Sequence, residues 1–202
     1  GIPAGRIVVT GNTIIDAVDH FSKRALRMPI LENLNLESKK YILATLHRPE
    51  TTDTAAVLTE VLSGLVAVTK KHGYPIIMSV HPRTKHALAK HHITVNPQIR
   101  LITPVGYLDF LCLQQNARLI MTDSGGIQEE AYLLRVPCVT VSDTTERPET
   151  LLGGGNTLAG RTQRGIFRAA SAQLKKHSKW KNTFGHKGVS KKIVQQIERR
   201  YL

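Results

Sequence analysis

Two cysteines in 202 residues are too few for a disulfide framework and cannot by themselves make a zinc site. Cys112 and Cys138 both fall inside apolar stretches and read as buried thiols. No apolar run approaches the ~18 residues that span a bilayer. The opening Gly-Ile-Pro-Ala-Gly-Arg also lacks the apolar core of a signal peptide. The expectation is a cytoplasmic protein without membrane contact. The spacing G-x-G-x-x-G does not occur, and Gly153-Gly154-Gly155-Asn156-Thr157 lacks the lysine of a P-loop, so nicotinamide and P-loop chemistry are unsupported. A nucleophile elbow would need a glycine where Thr122 stands, which leaves Ser124 a weak nucleophile. His81 with His86, or His91 with His92, belongs to no metal-ligand motif, and no metal is expected.

Acidic residues are scarce in one place only. The chain carries 28 Lys and Arg against 15 Asp and Glu, a net charge of +13, and from residue 161 onward there are 12 basic residues against Glu198 alone. Residues 1–160 are nearly balanced. The basic character therefore belongs to a tail at about 161–202, whose aromatics, Phe167, Trp180, Phe184 and Tyr201, form no RNA-recognition motif. Solvated helix faces explain the excess better than a nucleic-acid groove, and an acidic partner surface is a third reading.

What is present is a globular composition, 41% hydrophobic and 21% charged, with short β-branched runs alternating with amphipathic stretches. That alternation predicts a parallel sheet wrapped by helices. Strands are expected at 7–10, 41–45, 75–80, 100–102, 118–121 and 137–141, with a short one at 156–158. Helices are expected at 13–23, 54–72, 107–114, 127–134, 165–175 and 189–201. Residues 1–202 thus read as a single domain of the Rossmann-like, doubly wound α/β class. In such sheets ligands bind beyond the carboxyl ends of the strands, where the strand order reverses.

Three clusters fall at such ends. Asp123-Ser124-Gly125-Gly126 leads into the helix carrying Gln128-Glu129-Glu130. Its glycines admit a ligand to the backbone, and the helix end favours an anion such as phosphate. Equally, Ser124 could be no more than a helix cap. Glu130, one turn in, can reach back toward paired hydroxyls, whereas Glu129, rotated by ~100°, need not share the site. His47-Arg48-Pro49-Glu50 and His81-Pro82-Arg83 follow two other strands and supply donors suited to a diphosphate. Arg147, in Asp143-Thr144-Thr145-Glu146-Arg147-Pro148-Glu149, offers a further fork of donors, or only a surface ion pair with Glu146 or Glu149.

Together with Val9-Thr10-Gly11-Asn12-Thr13 and Trp180-Lys181-Asn182-Thr183-Phe184-Gly185, these segments resemble the non-hydrolysing UDP-N-acetylglucosamine 2-epimerases. The resemblance covers only the C-terminal half of that family's glycosyltransferase-B-like fold, so an N-terminal partner domain, holding the carboxylates of proton transfer, is expected outside this chain. It implies interconversion of UDP-GlcNAc and UDP-ManNAc by elimination and re-addition of UDP, without a cofactor, in a protein that is a homodimer when full length. It places uracil at Val105 and Phe110, ribose at Glu130, and the diphosphate at Ser124, Gly125 and Gly126. His47 would act in catalysis beside Arg147, and Arg48 and His81 match a regulatory UDP-GlcNAc site of bacterial members. Many relatives have His-Arg-Arg-Glu where this chain has His47-Arg48-Pro49-Glu50. A hydrolysing 2-epimerase, a glycosyltransferase of the same fold and a basic nucleic-acid-binding module are the alternatives.

Overall fold

Apolar residues on both faces of a strand require cover on both sides, and the computed structural model, which describes residues 1–176 and 179–201, shows that cover. His177, Ser178 and Leu202 of the basic tail lie outside the described residues. After a 3-10 turn at Ala4–Arg6 come α1 (Ile14–Ala25), α2 (Ile30–Asn33), β1 (Ile42–Thr45), α3 (Pro49–Thr52), α4 (Ala55–His72), β2 (Ile76–Ser79), α5 (Pro82–Lys90) and β3 (Ile99–Ile102). Then follow α6 (Tyr107–Asn116), β4 (Leu119–Thr122), α7 (Gly125–Leu133), β5 (Cys138–Thr140), α8 (Pro148–Leu152), β6 (Asn156–Leu158), α9 (Gln163–Lys175) and α10 (Val189–Tyr201).

The strands form one sheet in the order β3-β2-β1-β4-β5-β6, and every pairing is parallel. Side chains alternate between two cores. Ile42, Ala44, Ile76, Met78, Leu119, Met121 and Val139 join the layer under α4, α5 and α9. Leu43, Ile77, Ile120 and Cys138 join the layer with α2, α6 and α7. From β1 the chain winds outward to β3, then returns to the other side of β1 at β4 and winds outward again to β6. The order therefore reverses between β1 and β4, whose last residues, Thr45 and Thr122, stand in register with their hydroxyl oxygens 2.7 Å apart.

One expected strand is absent. Residues 7–10 pair with no strand, and Ile7, Val8 and Val9 are exposed. Their β-branched run has the composition of a strand but lies outside the six paired strands. Four short or basic helices were not anticipated: α2, α3, α5 and α8. The last three begin with a proline at their first position, after Arg48, His81 and Arg147. Proline there presets φ and gives up an N–H that has no helical partner, while its ring keeps the preceding residue out of the helical region, extended at Arg48 and His81 and at ψ 60° for Arg147. The tail, too, is not one unit. Ile166, Ala169, Ala170 and Leu174 of α9 are buried in the core against α4, and Trp180 and Phe184 pack on Tyr132. Beyond them, Asp16 of α1 holds the start of α10, accepting from the N–H groups of Gly188 (2.6 Å) and Ser190 (2.7 Å).

Two outcomes test this packing. Gly64 lets α4 approach α9: a methyl group there would lie 2.9 Å from Cβ of Ile166. Gly64→Ala in a helix ordinarily gains ~0.5 to 1 kcal/mol; here overpacking, typically ~1 to 3 kcal/mol, reverses the sign, and calorimetry should show a lower Tm. Asp16 titrates at about 2 instead of 3.8, chiefly because the Ser190 N–H binds its carboxylate. A depressed folded pKa means that this contribution is full above pH 3.8 and is lost as pH falls toward 2. Proteolysis within residues 185–201 should accelerate over that window, and Asp16→Ala should show the fast rate already at neutral pH.

Candidate functional site at the strand-order reversal

The loops leaving β1 and β4 meet on one carboxylate. Asp123, with its side chain fully buried, accepts from the backbone N–H groups of His47 (2.9 Å) and Arg48 (2.8 Å), and its Oδ1 lies 2.9 Å from Nδ1 of His47. The Nε of Arg48 donates back to the Asp123 carbonyl at 3.2 Å. With Nδ1 engaged, His47 keeps Nε2 for the adjoining cleft. Thr84 of α5 donates its hydroxyl to the Leu46 carbonyl, fixing the residue before His47 from behind. His81 caps α5, its Nδ1 accepting from the Arg83 N–H at 3.1 Å, so it too has Nε2 as its remaining ring nitrogen. The two imidazoles stand 5.3 Å apart, centre to centre.

Two depressions adjoin residues 123–126, and a third lies beyond Glu129 and Arg147. A cleft of about 300 Å³ is lined by His47, His81, Val105, Phe110, Ser124 and Ile127. A second, of about 260 Å³, lies among Arg48, Gly125, Thr145, Glu146 and Arg161. A third, of about 550 Å³, is bounded by residues 8–12, Glu129, Arg147 and Phe184. His47, His81, Val105, Phe110 and Ser124 therefore share one space, while Arg48 faces the second and Arg147 the third. Arg48 and His81, expected in one regulatory site, line different depressions.

The helix after β4 starts earlier than its periodicity suggested, at Gly125, which puts both glycines in its first turn. Ser124 occupies the cap position without making a side-chain capping bond. The free N–H groups of that turn and the positive helix end thus face the clefts. A side chain at Gly126 would meet open space, and Gly125 lies beneath the Arg147 side chain.

The two glutamates of α7 diverge. Glu130 is buried, and its Oε2 accepts from Nε2 of Gln114 at 2.5 Å. Burial raises its pKa, against the opposing pull of its bonds to Gln114 and Tyr107. Tyr107 is pushed up to about 12 by burial and by the Glu130 charge. Glu129, which helical geometry had set aside, is also buried and its Oε1 lies 2.8 Å from Nε of Arg147 and 2.7 Å from Nδ2 of Asn12. Arg147 pairs with neither Glu146 nor Glu149 through its side chains; its NH1 donates to the Glu146 carbonyl at 3.0 Å. Arg161, counted with the tail, belongs to the site: it binds Asp143 (2.5 Å) and the Glu50 carbonyl (2.8 Å), joining the loops after β5 and β1. Asp123, Glu129, Asn12 and Arg161 were thus missed as site residues. Asp123 was legible in principle, because a carboxylate and a histidine at the ends of two strands flanking the reversal must face each other. No group of three or more His, Cys, Asp or Glu side chains suited to a metal ion occurs among the described residues. Nor is any described helix long and apolar enough to cross a membrane.

The profile of the UDP-N-acetylglucosamine 2-epimerase family matches residues 1–198. The UDP-N-acetylglucosamine 2-epimerase of Methanocaldococcus jannaschii is 41% identical over 202 residues, an alignment covering 96% of this chain and 55% of that protein. The UDP-2,3-diacetamido-2,3-dideoxy-D-glucuronate 2-epimerase of Pseudomonas aeruginosa is 35% identical over 174 residues, covering 86% of this chain and 47% of that protein. The crystal structure of the M. jannaschii UDP-GlcNAc 2-epimerase in complex with UDP-GlcNAc and UDP superposes with a TM-score of 0.92 at 40% identity, over 98% of this chain and 56% of that one. The chain spans about half the length of the relatives it matches. It belongs to the UDP-N-acetylglucosamine 2-epimerase family.

Proposed function

We propose that this chain is the UDP-binding half of a 2-epimerase that interconverts UDP-GlcNAc and UDP-ManNAc by elimination and re-addition of UDP. The observation that carries this reading is the convergence, at the reversal point, of the uncapped first turn of α7 with the His47–Asp123 pair beside a cleft lined by Val105 and Phe110. A departing diphosphate needs donors fixed in advance, and N–H groups, His47 and Arg147 answer that need. Asp123 has the place of a group that orients His47, which would stand beside the phosphates. Uracil would lie against Val105 and Phe110, and Glu130 would accept from the ribose hydroxyls in exchange for its bond to Tyr107.

In this reading the acid and base that move the carbon-2 proton come from a second half. Asp123 and Glu129, the buried carboxylates nearest the diphosphate site, are each engaged by donors. The exposed apolar residues Ile7, Val8, Val9, Val194 and Ile197 support a covering domain. The reading includes a cytoplasmic setting and a homodimer of the whole protein, and it needs no cofactor.

Titration calorimetry should give tighter binding of UDP than of ADP. Glu130→Gln replaces a charged acceptor and should weaken UDP by about 1 to 3 kcal/mol. Because burial raises the Glu130 pKa, UDP affinity of the unsubstituted chain should climb as pH rises through that raised value, and the variant should lack this climb. Equal affinity for both nucleotides would refute the assignment of the base site.

A second test concerns turnover. Proton transfer by positioned groups typically contributes ~10²- to 10⁴-fold, and the carboxylates of this half nearest the diphosphate site, Asp123 and Glu129, are engaged by donors. Proton NMR of UDP-GlcNAc incubated with the purified chain should show no UDP-ManNAc, and sustained epimerisation would place the acid and base within these 202 residues.

A further inference from the structure

Arginine is a long side chain with several rotatable bonds, and fixing it costs rotamer freedom. Arg147 is nevertheless held by one hydrogen bond, at NH1, and by an ion pair at Nε, whose N–H is buried and not aligned for a hydrogen bond. Its Nε lies 2.8 Å from Oε1 of Glu129, and its NH1 donates to the Glu146 carbonyl at 3.0 Å. NH2 donates to no protein group among the described residues. The side chain crosses directly above the first turn of α7, since a methyl group on Gly125 would lie 3.7 Å from its Nε.

The anchoring acid is itself anchored. Oε1 of Glu129 also accepts from Nδ2 of Asn12 at 2.7 Å, and Oδ1 of Asn12 accepts from the Ile14 N–H at 3.0 Å. The backbone of Arg147 is fixed independently. Its N–H donates to Thr145 Oγ1 (3.0 Å), and the Thr145 hydroxyl donates to Gln128, the neighbour of Glu129 on α7 (2.5 Å). Two consecutive residues of α7 thus determine where Arg147 stands. Gln128 sets its backbone and Glu129 its guanidinium.

We propose that Glu129 is a positioning residue, which holds the guanidinium of Arg147 over the first turn of α7 with NH2 presented to the β-phosphate of the bound nucleotide, and that Asn12 braces it. This rests on the UDP-binding reading above. A carboxylate so near an anion site would by itself repel a diphosphate. Its charge is covered by the guanidinium, whose unpartnered nitrogen extends past it.

The test is a double-mutant cycle on the full 202-residue chain, with UDP and UMP as ligands and melting temperature measured on the same samples. Glu129→Gln should weaken UDP about tenfold and UMP less than twofold. Arg147→Ala should weaken UDP at least as much, and the double variant should bind no worse than Arg147→Ala alone, the non-additivity expected of residues that act through one another. A merely structural Glu129 would lower the melting temperature and weaken both ligands alike, or give additive losses, and either result overturns the proposal. If Glu129→Gln does not fold, Asn12→Ala takes its place in the cycle: a loss of about threefold that vanishes in the Arg147→Ala background supports the proposal, and an additive loss or none overturns it. An unsubstituted chain that fails to bind UDP would bring down the underlying reading and the inference together, whereas UDP binding with additive losses removes the inference alone.

Discussion

Asp123 is the constraint on which the site depends. A carboxylate withdrawn from water is costly unless donors surround it, and this one has the His47 ring and two backbone N–H groups. All of them come from the loop after β1, while Asp123 itself is the first residue after β4. The bonds therefore lock together the two loops that the strand order leaves adjacent. At every other position in the sheet, neighbouring strands are consecutive in the chain and a crossover connection runs between them. Between β1 and β4 none does, so the space above these two strands opens to ligands, and Asp123 sets its width.

Around that opening the local electrostatics run against the usual preference. Basic residues suit helix C-termini, where the dipole is negative. Here Arg48, His81 and Arg147 each stand immediately before the first residue of a helix, ahead of Pro49, Pro82 and Pro148. The α7 N-terminus adds a further positive end. Glu146 and Glu129 offset part of this, paired with Arg48 and Arg147. His81 is a neutral cap, but two arginines before helix starts at one sheet end are a conflict that an anion would resolve, and departures from local consistency concentrate at functional sites.

The same prolines explain what could and could not be read from the sequence. The buried strands announced themselves as apolar runs, and α4 by a long apolar periodicity. The α3 and α8 helices have four and five residues, too short for any period, and α5 buries only Thr84, Ala87 and Leu88 in an otherwise basic stretch. Their signal was the basic residue followed by proline, which marks a helix start whatever follows it. Residues 7–10 failed in the opposite way. Their composition is that of a strand, but a strand also needs a partner edge, which composition cannot report. Candidate site residues could be named where their place follows from position along one element, as with Ser124 and the glycines at the start of α7. They were hidden where it depends on which element lies opposite. Glu129 points away from Glu130, and only the fold reveals that the direction it takes leads to Arg147 and Asn12.

That divergence gives α7 its place in the proposed chemistry. In that proposal its first turn would face the diphosphate, while Glu130 turns toward Tyr107 and Gln114 of α6 and Glu129 toward the loop before α8. The α6 side carries Phe110, and with it the proposed base and ribose contacts; the α8 side carries Arg147. One helix, seated against β4 and β5, would thus fix the spacing between the nucleoside end of the ligand and its leaving-group charge. Carbon 2 of the sugar lies beyond that charge, and no step of proton transfer need disturb the grip on UDP. Holding the nucleotide and moving the proton are then separate tasks on separate elements. That separation is what an elimination followed by re-addition requires, because UDP must stay bound while the configuration of its former partner changes.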